Sequence, residues 1–323
     1  MGHSQADFSS LALSSEPRAQ AWLERARDHA EVQASIDQGF SAVPVDYDFF
    51  LDYQDIQQAA DEATVTLTEA NKIYYSTDPA SPSETRNLAH TITLKKASGA
   101  WKIVDDTYDD EIGRILQGTS TDRIRQNIEN KRIAAAAGPD PTRPGTPPEA
   151  MSPLLVDYPY DRQKAIDYTY QFWWTINSRY HDELAFGDCT NFASQAIYDG
   201  TGQTMSAGRN YNTDWYYDFY THSGSNPWIN VAGIYSFLTS NSGAGPYGYS
   251  SGSYLCYLGK GDVIVMKQAG QWKHTVVVSS VTECHDPSRV RVDAHDLDSD
   301  NRPLADYAGF DEWYAIDIWG YRK

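Results

Sequence analysis

Residues 187–198 read Gly-Asp-Cys-Thr-Asn-Phe-Ala-Ser-Gln-Ala-Ile-Tyr, and how this stretch is read decides what the carboxy-terminal half can be. Cys189, Phe192, Ala193, Ala196 and Ile197 recur at helical spacing and form one apolar stripe. Asp188, just before the stripe, is a residue type that caps helices, and Gly187 allows a sharp turn into it. Cys189 then falls on the first helical turn, where unpaired amides and the helix dipole favour a thiolate. Its own backbone N–H would point at whatever the sulfur attacks. The stripe alone supports a second reading, in which Cys189 is a small core residue. The neighbouring Asp188 carboxylate also works against activation, because it raises a thiol pKa.

The downstream sequence bears on that choice. After Gly261-Asp262, the run Val263-Ile264-Val265-Met266 predicts a buried strand, and Ala269-Gly270 turns it into a second strand from Trp272 to Ser279. His274 lies near the start of that second, antiparallel strand. A third strand, Val290 to His295, places Arg291, Asp293 and His295 on one face and Val290, Val292 and Ala294 on the other. The order is a cysteine at a helix start, a histidine entering a strand, then polar groups on the next strand. Thiol catalysis needs this set: a base in reach of the sulfur and a third group holding the base's other nitrogen. Between helix and strands, Gly208 to Trp228 carries Trp215, Tyr216, Tyr217 and Trp228 without a clean period, which reads as a structured loop over a substrate cleft. No short ligand pair such as C-x-x-C or H-x-x-x-H is present, so no metal and no cofactor is expected.

The run Asp188-Cys189-Thr190-Asn191-Phe192-Ala193-Ser194-Gln195 resembles the D-C-T-N-F-x-S-Q motif of the putative amidase domain family. That family is grouped with the papain-like, NlpC- and CHAP-type cell-wall peptidases. Trp215-Tyr216-Tyr217, Trp228 with Asn230-Val231, Gly261-Asp262-Val263 and His274 with its valine run fit the same family. So does His295 with Asp298, Asn301, Pro303 and Leu304, and the resemblance spans Tyr158 to Tyr321. It implies a papain-like catalytic domain with Cys189 as nucleophile, His274 as general base and His295 orienting His274. Asp296-Leu297 departs from the small hydroxyl residues common at that point in the family, so Asp293 or Asp296 is a candidate to share the orienting role. Asp188, Asn191, Gln195 and Asp298 are expected as supporting hydrogen-bonders. The implied function is a secreted cysteine amidase acting on peptide or peptidoglycan amides. The alternatives are an acyl transferase using the same pair and a non-catalytic wall-binding module.

The amino-terminal half shows a different pattern. Pro17 to Gln33 predicts a helix, and Phe49 to Ala60 a shorter one. Strand character begins at Ala63–Tyr75, and a turn-rich stretch, Asp78 to Ser83, precedes the strand His90–Lys96. Ser98-Gly99 predicts a hairpin turn into Trp101–Asp106, with Ile92, Leu94, Trp101 and Ile103 on one buried face. This is an α+β pattern, and Gly99 to Asp106 resembles the last strands of cone-shaped, nuclear-transport-factor-like domains, which act more often as docking modules than as enzymes. His90 reads as structural, and the acidic cluster Asp105-Asp106 with Asp109-Asp110-Glu111 reads as a solvated strand end. Asp122 to Ala137 predicts an exposed helix, and the proline-rich run Gly138 to Pro153 a semi-stiff linker. The expected units are therefore an accessory domain (1–118), a helix and linker (119–153) and a catalytic domain (154–323).

Composition sets the remaining bounds. A net charge of −18, negative in both halves, excludes electrostatic binding of nucleic acid or an anionic membrane. No run of 18 apolar residues exists, so no membrane span is expected. Cys189, Cys256 and Cys284 are odd in number. A Cys256–Cys284 disulfide that leaves Cys189 free would imply an oxidising compartment. Met1-Gly2-His3-Ser4 reads as a tag remnant rather than a signal peptide.

Overall fold

The computed structural model describes residues 9–136, 150–181 and 187–323. Helix α1 (Pro17–Gly39) leads into a meander of β1 (Pro44–Ala59), β2 (Glu62–Tyr75), β3 (Asp78–Ala97) and β4 (Ala100–Thr107). Helices α2 (Glu111–Leu116) and α3 (Thr121–Ala135) follow. The second half opens with β5 (Asp157–Tyr158), α4 (Arg162–Phe172) and α5 (Cys189–Gly200). The short β6 (Tyr217–Asp218), β7 (Ser223–Gly224) and α6 (Asn226–Ile229) precede α7 (Val231–Ser240) and β8 (Gly245–Ser250). Strands β9 (Val263–Gln268), β10 (Gln271–Val281), β11 (Val290–Ala294), β12 (Ser299–Pro303) and β13 (Glu312–Arg322) complete the chain.

The result is a mixed α/β fold built on antiparallel pairing. One sheet runs in the order β1-β2-β3-β12-β11-β10-β9-β13-β5, with β4 added to β3 and β8 to β13. The two halves join within it, because β3 pairs with β12 at Thr85↔Ser299 and Glu84↔Asp300. The valine-rich strands lack polar alternation because both their faces are covered. Val263, Val265 and Val277 pack with Phe192, Ala193, Ala196 and Ile197 of α5. Ile264, Met266, Val276 and Val278 point the other way, into a core that also holds Val32 and Ile36 of α1, Ile112 and Ile115 of α2, and Ile124 and Ile128 of α3. Each such buried isoleucine contributes about 1.5–3 kcal/mol. The amino-terminal helices thus form one wall of the core beneath the strands of the carboxy-terminal half.

Several expectations change. Phe49–Ala60 lies in strand β1, not in a helix; it pairs with β2 along its length, and aromatics such as Phe49 and Tyr53 favour that extended state. Asp78–Ser83 is the start of β3 rather than a turn. Ser98 and Gly99 do take positive φ, as a tight hairpin requires, but Trp101 is exposed and only Ile92, Leu94 and Ile103 are half-buried. Helix α3 is not an exposed spacer. Ile124, Asn127, Ile128, Lys131 and Ala135 form its buried face, and Asn127 Nδ2 donates to Gly309 O at 2.9 Å. Most of the expected linker lies outside the described residues. Strand β13, which pairs with β9, β8 and β5, has no counterpart among the expected elements.

Candidate active site

Helix α5 starts at Cys189, with Gly187 supplying the turn. Gly187 has φ +90°, and a Cβ there would meet Asp296 Oδ2 at 3.0 Å, so two constraints require glycine. Asp188 occupies the cap position, but its side chain does not cap the helix. It is turned instead to His295 Nδ1 at 2.5 Å and accepts from Asn191 Nδ2 at 2.8 Å. Its backbone N–H donates to Asp296 Oδ1 at 2.6 Å.

Cys189 is 3% exposed. Its sulfur takes a hydrogen bond from the Thr275 backbone N–H and faces the Asp296 carboxyl group. Pairing between β10 and β11 runs from Val281↔Val290 only as far as Val277↔Asp293, which leaves the start of β10 open to α5. There Thr190 and Thr275 share a hydroxyl hydrogen bond of 2.9 Å. Sγ of Cys189, a ring nitrogen of His274 and a carboxylate oxygen of Asp296 all lie within 4.8 Å of one another. Burial first, and then the Asp296 charge, push the Cys189 thiol well above its ordinary pKa. Burial also lowers the His274 pKa, opposed by Glu111 and Asp296. The resting pair is therefore a neutral thiol and a neutral imidazole. Asp296 itself has φ +83°, a conformation costly for a non-glycine residue and concentrated at functional sites. A thiol, an imidazole and a carboxylate at this spacing are also a donor set that a zinc-like cation could take.

His274 follows the pleat of β10 onto the face of Val276 and Val278, the face covered by α2. Its ring stacks on Tyr307 (centroids 5.6 Å apart, 21° between planes). Its Nε2 faces Glu111 Oε1 at 3.8 Å. Both atoms are buried, and neither makes a hydrogen bond among the described residues.

His295 does not orient His274. Both its nitrogens are taken, Nδ1 by Asp188 and Nε2 by the Phe172 carbonyl at 2.8 Å, and its ring stacks on Phe192 at 4.0 Å. Burial disfavours charge on His295, but the Asp188 hydrogen bond and charge outweigh it and the pKa rises. Asp293 is equally distant in role: it accepts from Thr169 Oγ1 (2.6 Å) and the Asn301 backbone (2.9 Å), and burial raises its pKa. Asn191 also accepts from Trp228 Nε1 at 2.8 Å, and Gln195 accepts from the Tyr168 hydroxyl. Asp298 accepts from Asn87 Nδ2 of the amino-terminal half at 2.6 Å.

The aromatic set does not form an open cleft. Trp215, Tyr217 and Trp228 are buried, and the Trp215 and Trp228 indoles donate to Ser194 and Asn191 on α5. Only Tyr216 is partly open. These rings are the core that seats α5. The cavity beside the site lies elsewhere, about 440 Å³ in volume, between Arg86 and Asn87 of β3, Trp174 and Ile176 after α4, and Asp296 and Asp298. Cys256 and Cys284 form a disulfide with Cα atoms 4.7 Å apart, and Cys189 is the free cysteine.

Two residues beside the site escaped the sequence reading, Glu111 and Arg114. The acidic cluster that contains Glu111 is not a solvated strand end. Asp110 caps α2 by accepting from Gly113 N at 2.7 Å, and Ile112 and Ile115 are its buried stripe. That pattern, a capping aspartate before spaced isoleucines, was the available signal.

Residues 159–319 match the family model described as "Putative amidase domain". No curated protein and no solved structure matches the chain. The family description points to amide hydrolysis, and so to a hydrolase. The carboxy-terminal half, residues 159–319, is thus similar to the putative amidase domain family that its motifs resemble.

Proposed function

We propose that the protein is a papain-like cysteine amidase, with Cys189 as nucleophile and His274 as general base. The observation that carries this reading is the meeting of Cys189 Sγ, a His274 ring nitrogen and the Asp296 carboxylate within 4.8 Å at the start of α5. The chemistry runs from a neutral pair. His274 removes the thiol proton as sulfur attacks the amide carbonyl, and the Cys189 backbone N–H donates to the developing oxyanion. The imidazolium then gives its proton to the departing amine, leaving a thioester. Water, deprotonated by His274, adds to the thioester, and the carboxylic acid leaves as the thiol regains its proton. Asp296 and Glu111 both favour the charged imidazolium in these steps. Asp296 also holds the Asp188 backbone, which fixes where the helix, and so the sulfur, begins.

Peptide or peptidoglycan amides are the proposed substrate class. The cavity that opens beside Asp296 offers Arg86 to a carboxylate, Asp298 to an amine, and the Trp174 and Ile176 side chains to an apolar body. The disulfide favours an oxidising, extracytoplasmic setting, where such substrates lie. Trp215, Tyr217 and Trp228 are buried, so these three rings are not available to a wall-binding platform. The test is digestion of purified peptidoglycan and synthetic muropeptides with product masses read out. Wild-type protein should release hydrolysed amides, and Cys189→Ala and His274→Ala should release none. Amine-exchanged products in place of hydrolysed ones would assign the same pair to acyl transfer. Undiminished hydrolysis by Cys189→Ala would refute the reading.

A further inference from the structure

We infer that Glu111, on a helix outside the family-matched region, is the residue that orients His274, so that the amino-terminal half completes the active site. The inference rests on the cysteine reading above and supplies the third member that His295 does not. The first ground is the pair of orphaned atoms. His274 Nε2 and Glu111 Oε1 are buried, make no hydrogen bond among the described residues and face each other at 3.8 Å, with Arg114 Nη1 also 3.8 Å from that glutamate oxygen. Buried polar atoms are seldom left so, and an approach of under about 1 Å brings them into hydrogen-bond range.

The second ground is that α2 is fixed to the site by other bonds. Arg114 Nη2 donates to the Asp296 carbonyl at 3.1 Å, and its guanidinium pairs with Asp109 through two bonds of 2.9 Å. Asp110 is held from α1 by His29 at 2.5 Å. Ile112 and Ile115 lock the helix into the core that also contains Val276 and Val278 of the His274 strand. The third ground is the face of the sheet. Cys189 approaches the start of β10 from the α5 side, whereas His274 leaves β10 on the α2 side. Glu111 of α2 faces the His274 Nε2 from that side, and among the described residues of 159–319 none hydrogen-bonds this nitrogen.

The charged and titratable groups facing His274 are Glu111 and Arg114 of α2, Asp296 beyond β11, Arg302 of β12, Tyr307 stacked on its ring and Cys189 of α5. Glu111 and Asp296 favour the imidazolium, and Arg114 and Arg302 oppose it. Glu111 is therefore a positioning residue that fixes the histidine ring and stabilises the charge it acquires during attack.

The test compares the full-length wild type with Glu111→Gln, Glu111→Asp and Cys189→Ala. Two readouts are used: kcat and KM on a muropeptide across pH, and the NMR titration of the His274 ring without substrate. Glu111→Gln should lower kcat on the order of 10²-fold, at the low end of what acid–base catalysis contributes, with KM unchanged. Both the acid limb of the rate and the His274 titration should move to lower pH, because the removed charge favoured the protonated ring. Glu111→Asp should restore part of both. A Glu111→Gln protein with wild-type kcat and wild-type His274 titration overturns the inference. If that variant fails to fold, a Glu111→Ala protein with wild-type His274 titration does the same. Hydrolysis surviving in Cys189→Ala would instead overturn the cysteine reading, and the His274 titration would still report on Glu111.

Discussion

Replacing His295 with phenylalanine should damage stability and leave the chemistry's pH dependence alone. The ring stack on Phe192, at 4.0 Å and 15°, survives the change, so the loss isolates the two hydrogen bonds. Asp188, 3% exposed, would keep a charge without its imidazolium partner, and the Phe172 carbonyl would lose its donor. Removing one partner of a buried ion pair costs about 3–5 kcal/mol. At roughly 2–4 °C per kcal/mol, the melting temperature should fall by on the order of 10 °C. The pH dependence has a defined sign. The His295 pKa is raised in the folded protein, so its stabilisation is fully present below the unfolded value near 6.5 and is lost as pH rises through the folded value. The gap between wild type and His295→Phe should therefore be widest below the unfolded value and narrow as pH rises through the raised folded one. Thermal unfolding across pH, paired with kcat/KM profiles below the variant's melting point, checks both parts. A variant that melts like wild type but loses activity with a shifted acid limb would show that His295 acts on His274.

Other outcomes follow from the same geometry. A fragment spanning residues 154–323 should be insoluble or molten, because it strips Ile112, Ile115, Ile124 and Ile128 from the core face of β9–β11, roughly 6–12 kcal/mol of burial; dye binding and circular dichroism would show it. Reduction of Cys256–Cys284, which closes a loop with a sequence separation of 28, should cost about 3–4 kcal/mol in denaturant titrations and leave the free Cys189 thiol unchanged. In the resting enzyme, iodoacetamide should label Cys189 more slowly than a free thiol at neutral pH and accelerate only in alkali, since burial raises the thiol pKa. Hydrolysis itself should fall on the acid side only below pH 6.5, where the lowered His274 pKa lies, and hold through neutrality. Chelation should leave activity intact; loss reversed by zinc would assign Cys189, His274 and Asp296 to a metal instead.

The parts of the site that were legible in the sequence are those whose signal is local. The stripe Cys189–Ile197 specifies its helix because its period matches a buried face, and Val263–Val278 specifies a hairpin because Ala269-Gly270 interrupts two apolar runs. Glu111 could not be found this way. Its place beside His274 depends on a sheet that joins the two halves through β3 and β12, where Glu84 and Thr85 pair with Asp300 and Ser299. The aromatics Trp215 and Trp228 misled for a related reason. Their spacing is irregular because they fill gaps around α5 from a loop, and irregular spacing resembles a surface loop until the partner helix is placed. His295 carries the family's motif, but motif membership does not distinguish a charge held by Asp188 from one that acts on His274. In β1 both faces are exposed, so there is no single apolar stripe and its aromatics resemble a helix segment.

The central claim is that Cys189 forms a covalent bond to the acyl group of its substrate. Rapid-quench intact-mass analysis of the full-length protein with a muropeptide measures this directly. The account predicts a transient acyl adduct that peptide mapping places on Cys189, absent in Cys189→Ala and accumulating when His274 is replaced only if attack still occurs. Steady amide hydrolysis with no adduct in the wild type, undiminished in Cys189→Ala, would contradict it.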